Sequence, residues 1–416
     1  MGQTIAEKIL SKHAGKNVTA GELIISKVDV TMVQDGTGPL TVQEFKKMDK
    51  KLANPQRTIL FIDHAAPSPR KELSNSHMVL RNFSKDYGAI LSDVGDGVCH
   101  QRLVEGFVFP GEVLVGADSH TCTSGALGAF ATGMGSTDIA VAMALGKTWM
   151  KVPPTYKIVV DGDFQKGVTA KDLILHLIGL IGADGATYKA LEFHGSTIEN
   201  MPMADRFTLA NMAVEAGAKV GLFETDNTTK EYLISKGNED KFVEIKADND
   251  AVYERIINID ATKIEPTISC PHTVDNTKTV SEVSNVKVNQ FLIGTCTNGR
   301  IEDFRLAAKI LDGKKINSDV RLLITPSSRT VFLKMLEEGL VDIFVKAGAA
   351  IVTAGCGACV GVHAGILGDG EVCLSTQNRN FQGRMGNTQG SIYLCSPAVA
   401  AYSAIKGHIA DPREAL

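Results

Sequence analysis

The chain has no run of about 18 apolar residues, the length a helix needs to cross a bilayer. Its start, Met-Gly-Gln-Thr-Ile-Ala-Glu-Lys-Ile-Leu, sets acid and base within the apolar periodicity and so lacks the continuous stretch of a signal peptide. Gly2 does not open an acylation motif, because Ala6 stands where serine or threonine is needed. There is no field of one sign either: the formal charge is −4 with acids and bases interspersed, which predicts neither a nucleic-acid nor a membrane partner. Cysteine is sparse, eight in 416 residues, which excludes a disulfide scaffold and fits a reducing, cytoplasmic setting where thiolates stay available. Repeats and low-complexity segments are absent.

At 416 residues the chain is too long for one ordinary core and predicts two or three domains. Short β-branched runs end abruptly in Gly, Asp, His or Cys and are mostly followed by helical patterns, the signature of β-α units around parallel sheets. The clearest are Thr58 to Ile62 before Asp63-His64, Val113 to Val115 before Asp118-Ser119-His120, Phe291 to Ile293 before Cys296, and Ala350 to Thr353 before Cys356. Ligands bind outside the carboxyl ends of such strands, so these acids, histidines and cysteines are expected to converge. A helix is predicted over Ala170 to Ile181, with Leu173, Ile174, Leu177, Leu180 and Ile181 on one face and Gly182 as its stop. Composition changes near Val152-Pro153-Pro154 and again around Asp248 to Thr273 predict α/β domains over 1–153, 154–253 and 254–416.

Three cysteines carry the chemistry: Cys296 in Ile-Gly-Thr-Cys-Thr-Asn-Gly-Arg, then Cys356 and Cys359 in Ala-Gly-Cys-Gly-Ala-Cys-Val-Gly. Three thiolates hold an iron-sulfur cube and leave one iron unligated by protein, whereas an electron-transfer cluster usually takes four. An open coordination position is what a catalytic metal keeps for substrate. Two rivals stand beside this reading. One is structural zinc, with His363 completing Cys-x2-Cys-x3-His and Cys296; the other is an electron-transfer cluster with a fourth ligand.

Four ordered blocks go further: Gly116-Ala117-Asp118-Ser119-His120-Thr121-Cys122-Thr123 continuing through Asp138, Gly294 to Gly299, Gly355 to Cys359, and Gln377-Asn378-Arg379-Asn380-Phe381-Gln382-Gly383-Arg384. Across nearly its whole length the chain resembles the large subunit of the aconitase family, in its split isopropylmalate or homoaconitate dehydratase type. That resemblance implies three α/β domains packed around a [4Fe-4S] cluster held by Cys296, Cys356 and Cys359, without the fourth, swivelling domain. It implies a hydro-lyase acting on a hydroxy-di- or tricarboxylate. Asp63 and His64 are then expected to deliver a proton to the leaving hydroxyl, and His100 to pair with Asp118. Asp118 and His120 belong to the proton network, with Glu192 as the acidic partner of His120. Consecutive Asp118-Ser119-His120 does not form a hydrolase triad, whose members come from separate segments and meet side chain to side chain.

Arg379 and Arg384 suit the bidentate binding of carboxylates, and the resemblance adds Gln34, Ser119 and Asn378 as substrate contacts. Gln34 stands where many split dehydratases carry histidine; the total length and the His-Thr-Cys-Thr block resemble the short split isopropylmalate dehydratases, so 2-isopropylmalate is the first expectation, with homocitrate or homoaconitate, 2,3-dimethylmalate and citrate as the open alternatives. The serine base of single-chain relatives lies on the final domain. Beyond Arg384 only 416 − 384 = 32 residues remain, so a separate small subunit is expected to supply that serine and much of the selectivity. An RNA-binding role would call for a basic face, and the composition provides none.

Overall fold

The computed structural model describes residues 2–416. Its β-branched and aliphatic runs assemble into three main sheets. The first orders its strands Ile90–Ser92, Thr58–Phe61, Val30–Gln34, Val113–Gly116 and Phe130–Gly133, all parallel. Every residue of its three inner strands is buried, the mark of parallel strands covered on both faces. The second sheet runs Val220–Phe223, Ala190–His194, Thr155–Asp161, Arg255–Asp260, also parallel. Its edge strand lies beyond the boundary expected at 253 and 254.

The third sheet has seven strands, in the order Thr277–Thr279, Thr267–Ser269, Ser391–Leu394, Val372–Ser375, Gln290–Gly294, Arg321–Thr325, Ala350–Ile351. The first two run antiparallel to their neighbours and the rest are parallel. A separate antiparallel ribbon pairs Leu23–Lys27 with Lys147–Lys151. No helix among the described residues is long and apolar enough to cross a membrane.

The helix Ala170–Ile181 has the bounds its periodicity predicts, because both ends are marked locally. Thr169 and Asp172 form a capping box, and Gly182 closes the helix at φ 89°. Its burial differs from the one-faced expectation: Leu175 and Ile178 are buried along with Leu173, Ile174 and Leu177, while Leu180 is 56% exposed. The reason is position. The helix belongs to an apolar cluster shared by Leu191 of the second sheet and Leu292 and Leu394 of the third, so most of its body is covered and solvent reaches it only at His176 and the last turn. A further cluster joins Cys296, Cys356 and Cys359 of the third layer to Met32, Phe61, Val98 and Cys99 of the first, setting the thiols at the seam between two sheets.

Candidate active site

Most of the predicted residues leave the carboxyl ends of parallel strands, where open α/β sheets bind ligands. Gln34, Asp63, His64 and Asp118 leave the first sheet, whereas Cys296, Cys356, Asn378 and Arg379 leave the third. Apart from Asp63, these residues face one cavity of about 100 Å³, into which the thiols of Cys296, Cys356 and Cys359 open. Gln34, His64, His100, Asp118 and His120 line it from the first layer, and Asn378, Arg379 and Arg384 from the third. A larger cavity of about 550 Å³ lies against the far side of Asp118 and Ser119, but it offers neither thiol nor imidazole, so the chemistry belongs to the smaller one.

One carboxylate organises the first-layer side. Asp118 stands among three imidazoles: His100 Nε2 at 3.0 Å, His64 Nε2 at 3.4 Å and His120 Nδ1 at 3.6 Å. Gln34 Nε2 donates to its Oδ2 at 3.3 Å, and the His120 backbone N–H donates to Oδ1 at 2.9 Å. Burial works to raise its pKa, but the three histidines prevail and hold it well below the ordinary carboxylate range. Burial likewise works to lower the pKa of His64, yet Asp63 and Asp118 together hold it well above the usual imidazole value. His100 goes the other way, lowered chiefly by burial. Its Nδ1 is buried without a hydrogen-bond partner.

Asp63 and Ser119 do not line the cavity and act behind it. Asp63 accepts from His64 Nδ1 at 2.9 Å and from the Cys99 backbone N–H at 2.6 Å, while Ser119 Oγ accepts from Arg379 Nη2 at 2.9 Å. Asp35 fastens the whole turn: its carboxylate accepts the backbone N–H groups of Asp63, His64 and Ala65 and a bond from His77 Nε2 at 3.0 Å. Burial raises its pKa, but His77, His64 and the amides outweigh that and keep Asp35 far below the ordinary range.

The thiols meet N–H donors suited to sulfur. Asn211 Nδ2 and Asn378 Nδ2 each lie 3.4 Å from Cys296 Sγ, and Arg384 Nη2 lies 3.5 Å from Cys359 Sγ. Burial pushes Cys296 up to about 11. Cys356 and Cys359 share a hydrogen bond, which raises Cys356 and lowers Cys359; the neighbouring Arg384 guanidinium also favours the Cys359 thiolate. Three thiols, amide and guanidinium donors aimed at their sulfurs, and an Arg384 Nε buried without a partner make a donor set that fits an anionic metal-sulfide group. The zinc alternative loses its fourth ligand, since His363 Nε2 lies 2.9 Å from the His64 carbonyl oxygen and the ring does not line the cavity.

One expectation needs correcting. Glu192 is not the partner of His120. Strand alternation puts Glu192 and His194 on the same face, so Glu192 Oε1 bonds His194 Nε2 at 2.8 Å and Tyr253 Oη at 2.6 Å, while Oε2 accepts from the Ile5 backbone N–H at 2.9 Å. The acid facing His120 is Glu215, at 2.7 Å from Nε2, which also takes Arg379 Nε at 2.8 Å. Burial raises the Glu215 pKa, but His120 and Arg379 bring it below the ordinary range. Asn211 and Glu215 are the residues the sequence reading missed. The signal for them was there: two polar side chains four apart inside the otherwise apolar run Asn-Met-Ala-Val-Glu-Ala.

Glu215→Gln is expected to lower turnover by roughly 10- to 100-fold, the range for partners that orient a functional imidazole. Glu192→Gln is expected to leave turnover unchanged and to destabilise the chain by about 1–3 kcal/mol through its buried hydrogen bonds. Steady-state kinetics and thermal unfolding of the two variants test the correction; equal loss of turnover in both would reverse it.

The family model described as "Aconitase family (aconitate hydratase)" matches residues 7–407. The chain is 72% identical over 417 residues to the 3-isopropylmalate dehydratase large subunit of Elusimicrobium minutum (strain Pei191), with all of both chains covered. It is 56% identical to the 3-isopropylmalate dehydratase large subunit 1 of Thermotoga maritima, covering 99% of each chain. Among solved structures, the holo form of Thermococcus kodakaraensis aconitase X shares the fold at TM-score 0.51 and 15% identity, with 90% of this chain and 88% of that one covered.

Proposed function

The chain belongs to the aconitase family, and from that premise we propose that it is the large, catalytic subunit of a 3-isopropylmalate dehydratase. The reaction is the reversible dehydration and rehydration that interconverts 2-isopropylmalate and 3-isopropylmalate, as in leucine biosynthesis. The observation that carries this reading is the opening of three thiols onto one cavity lined by imidazoles and two arginines. Full-length relatives that bear the large-subunit name support both the substrate and the need for a second chain. Cys296, Cys356 and Cys359 would hold a [4Fe-4S] cluster, and a small subunit would supply the serine base.

When bound, the cluster supplies a Lewis acid able to polarise a hydroxyl group. The protein's own groups address the rest of the reaction. Arg384, whose Nε has no partner among the described residues, presents a donor to a substrate carboxylate. Arg379 reaches the same cavity, braced by Glu215 and Ser119 so that its free guanidinium edge stays oriented. His64, held protonated by Asp63 and Asp118, is the proton donor to a leaving hydroxyl. Gln34 and His100 complete the polar wall around Asp118. No serine lines the cavity among the described residues, which accords with a base supplied by the partner for removal of the carbon-bound proton.

The test is anaerobic purification of the chain alone and with its small subunit, followed by assays on 2-isopropylmalate, homocitrate, 2,3-dimethylmalate and citrate. Turnover is expected only from the pair, with 2-isopropylmalate preferred. Turnover by the large chain alone would refute the shared active site, and preference for another of the four acids would replace the substrate.

A further inference from the structure

Behind the thiols lies a buried cation for which the proposed chemistry has no use. The segment Gly294-Thr-Cys-Thr-Asn-Gly-Arg300 enters one helical turn, Thr295–Asn298, through Gly294 at φ 135° and Thr295 at φ 68°, and leaves it at Arg300, which precedes the helix Ile301–Leu311. The Arg300 side chain folds back under that turn and is 3% exposed. Nη2 donates to the Cys296 carbonyl at 2.8 Å and Nη1 to the Thr297 carbonyl at 2.8 Å. The same guanidinium reaches the Ala204 carbonyl at 3.2 Å, Thr208 Oγ1 at 3.4 Å and Gln101 Oε1 at 3.1 Å, with its centre 5.1 Å from the Phe207 ring centroid.

Two features of this arrangement are informative. First, its acceptors come from three parts of the molecule: Gln101 from the helix Cys99–Gly106 of the first layer, Ala204 and Thr208 from the helix Met203–Met212 of the second, and the Cys296 turn of the third. One planar fork therefore ties the loop bearing a thiol to both neighbouring layers. Second, every acceptor is neutral. No carboxylate lies within ion-pair distance of the guanidinium among the described residues, and Asp303, three residues on, instead caps the next helix through the Arg300 backbone N–H at 2.9 Å. A buried charge without a direct ionic partner is costly; the buried acids Asp205 and Asp303 feel the Arg300 charge only from beyond ion-pair distance, and an anionic group held at Cys296 would offset it further.

We propose that Arg300 is a positioning residue for the thiolate of Cys296: it pins the ligand loop at the three-layer junction and its charge offsets the negative charge of the bound cluster. This rests on the iron-sulfur reading above. Arg300→Met, made in the complete anaerobic holoenzyme, removes the charge and the fork while keeping the chain length. Iron loss to a chelator is expected to accelerate about 10- to 100-fold, the range for lost outer-shell partners. The cluster's reduction is expected to become harder, because the more negative form loses a nearby cation; a tenfold change in the ratio of oxidised to reduced cluster at fixed potential corresponds to about 59 mV for one electron. Arg300→Lys keeps the charge but not the fork, so it is expected to retain the parental potential and still lose iron faster.

Unchanged iron loss and potential in Arg300→Met would overturn the proposal. If that variant fails to fold, Gln101→Leu removes one acceptor of the same guanidinium and is read the same way, with accelerated iron loss supporting the assignment and unchanged loss refuting it. The parent enzyme separates the two readings: a chain purified anaerobically without iron and sulfide sinks the cluster itself, whereas an iron-loaded parent with indifferent variants sinks only the role of Arg300.

Discussion

Cys356→Ser is expected to abolish both iron-sulfide retention and turnover by the partnered enzyme while leaving the fold intact. Its sulfur shares a hydrogen bond with Cys359 and opens on the same cavity as Cys296. A serine hydroxyl titrates far above any thiol and is a harder donor, so two thiolates would remain where the cluster needs three. The fold is expected to survive because the change is nearly isosteric and Cys356 belongs to the smaller cluster at the seam, outside the three large apolar cores. Iron and acid-labile sulfide analysis, circular dichroism and the isomerase assay read these effects separately. The companion variant His363→Ala is expected to keep its iron, since that ring is engaged with the His64 carbonyl and stands outside the cavity. Loss of metal in both variants, with zinc in the parent, would restore the structural-zinc reading.

Asp118→Asn should lower turnover by about 10²- to 10⁴-fold, the range for removing a positioned acid-base group. The carboxylate is the shared neighbour of His64, His100 and His120 and also accepts the His120 backbone N–H. An amide can keep one oxygen as acceptor but must turn an NH2 toward groups that now face oxygen, including the Gln34 amide donor at 3.3 Å. The pH dependence has a definite sign. Asp118 is one of two acids that hold the His64 pKa well above its ordinary value; its loss lowers that pKa, so His64 gives up its proton at lower pH. The alkaline limb of the kcat/KM profile is therefore expected to move to lower pH in the variant, with Asp63 preserving part of the elevation. An unshifted alkaline limb would show that His64 is not the proton donor.

Much of the site was legible before any coordinates because its residue types are rare in their contexts. A histidine, an aspartate or a cysteine directly after a β-branched run has few structural reasons to be there, and parallel sheets deliver such residues to one crevice. Asp63-His64, Asp118 and Cys296 all follow this rule. Arg300 escaped it because it sits two residues past the helical turn and reads as the polar start of the next helix. Leu180 misled for a related reason: periodicity identifies an apolar stripe but not the point at which a helix outruns the layers that cover it.

The sequence by itself determined the α/β class, the three sulfur donors and the acid-imidazole chemistry, since these depend on side-chain identity and on alternation over a few residues. Only the tertiary structure decided which acid serves His120. Glu192 and Glu215 are both acids within apolar runs, and the choice between them rests on how the short turn Ala213–Ala216 packs against the segment Ser119–Leu127, across 95 positions of chain. The same holds for the Arg300 fork, whose acceptors at Gln101 and Ala204 lie 199 and 96 positions away. Local composition records which groups are available, but the partner of a buried charge is chosen by the packing that excludes water around it.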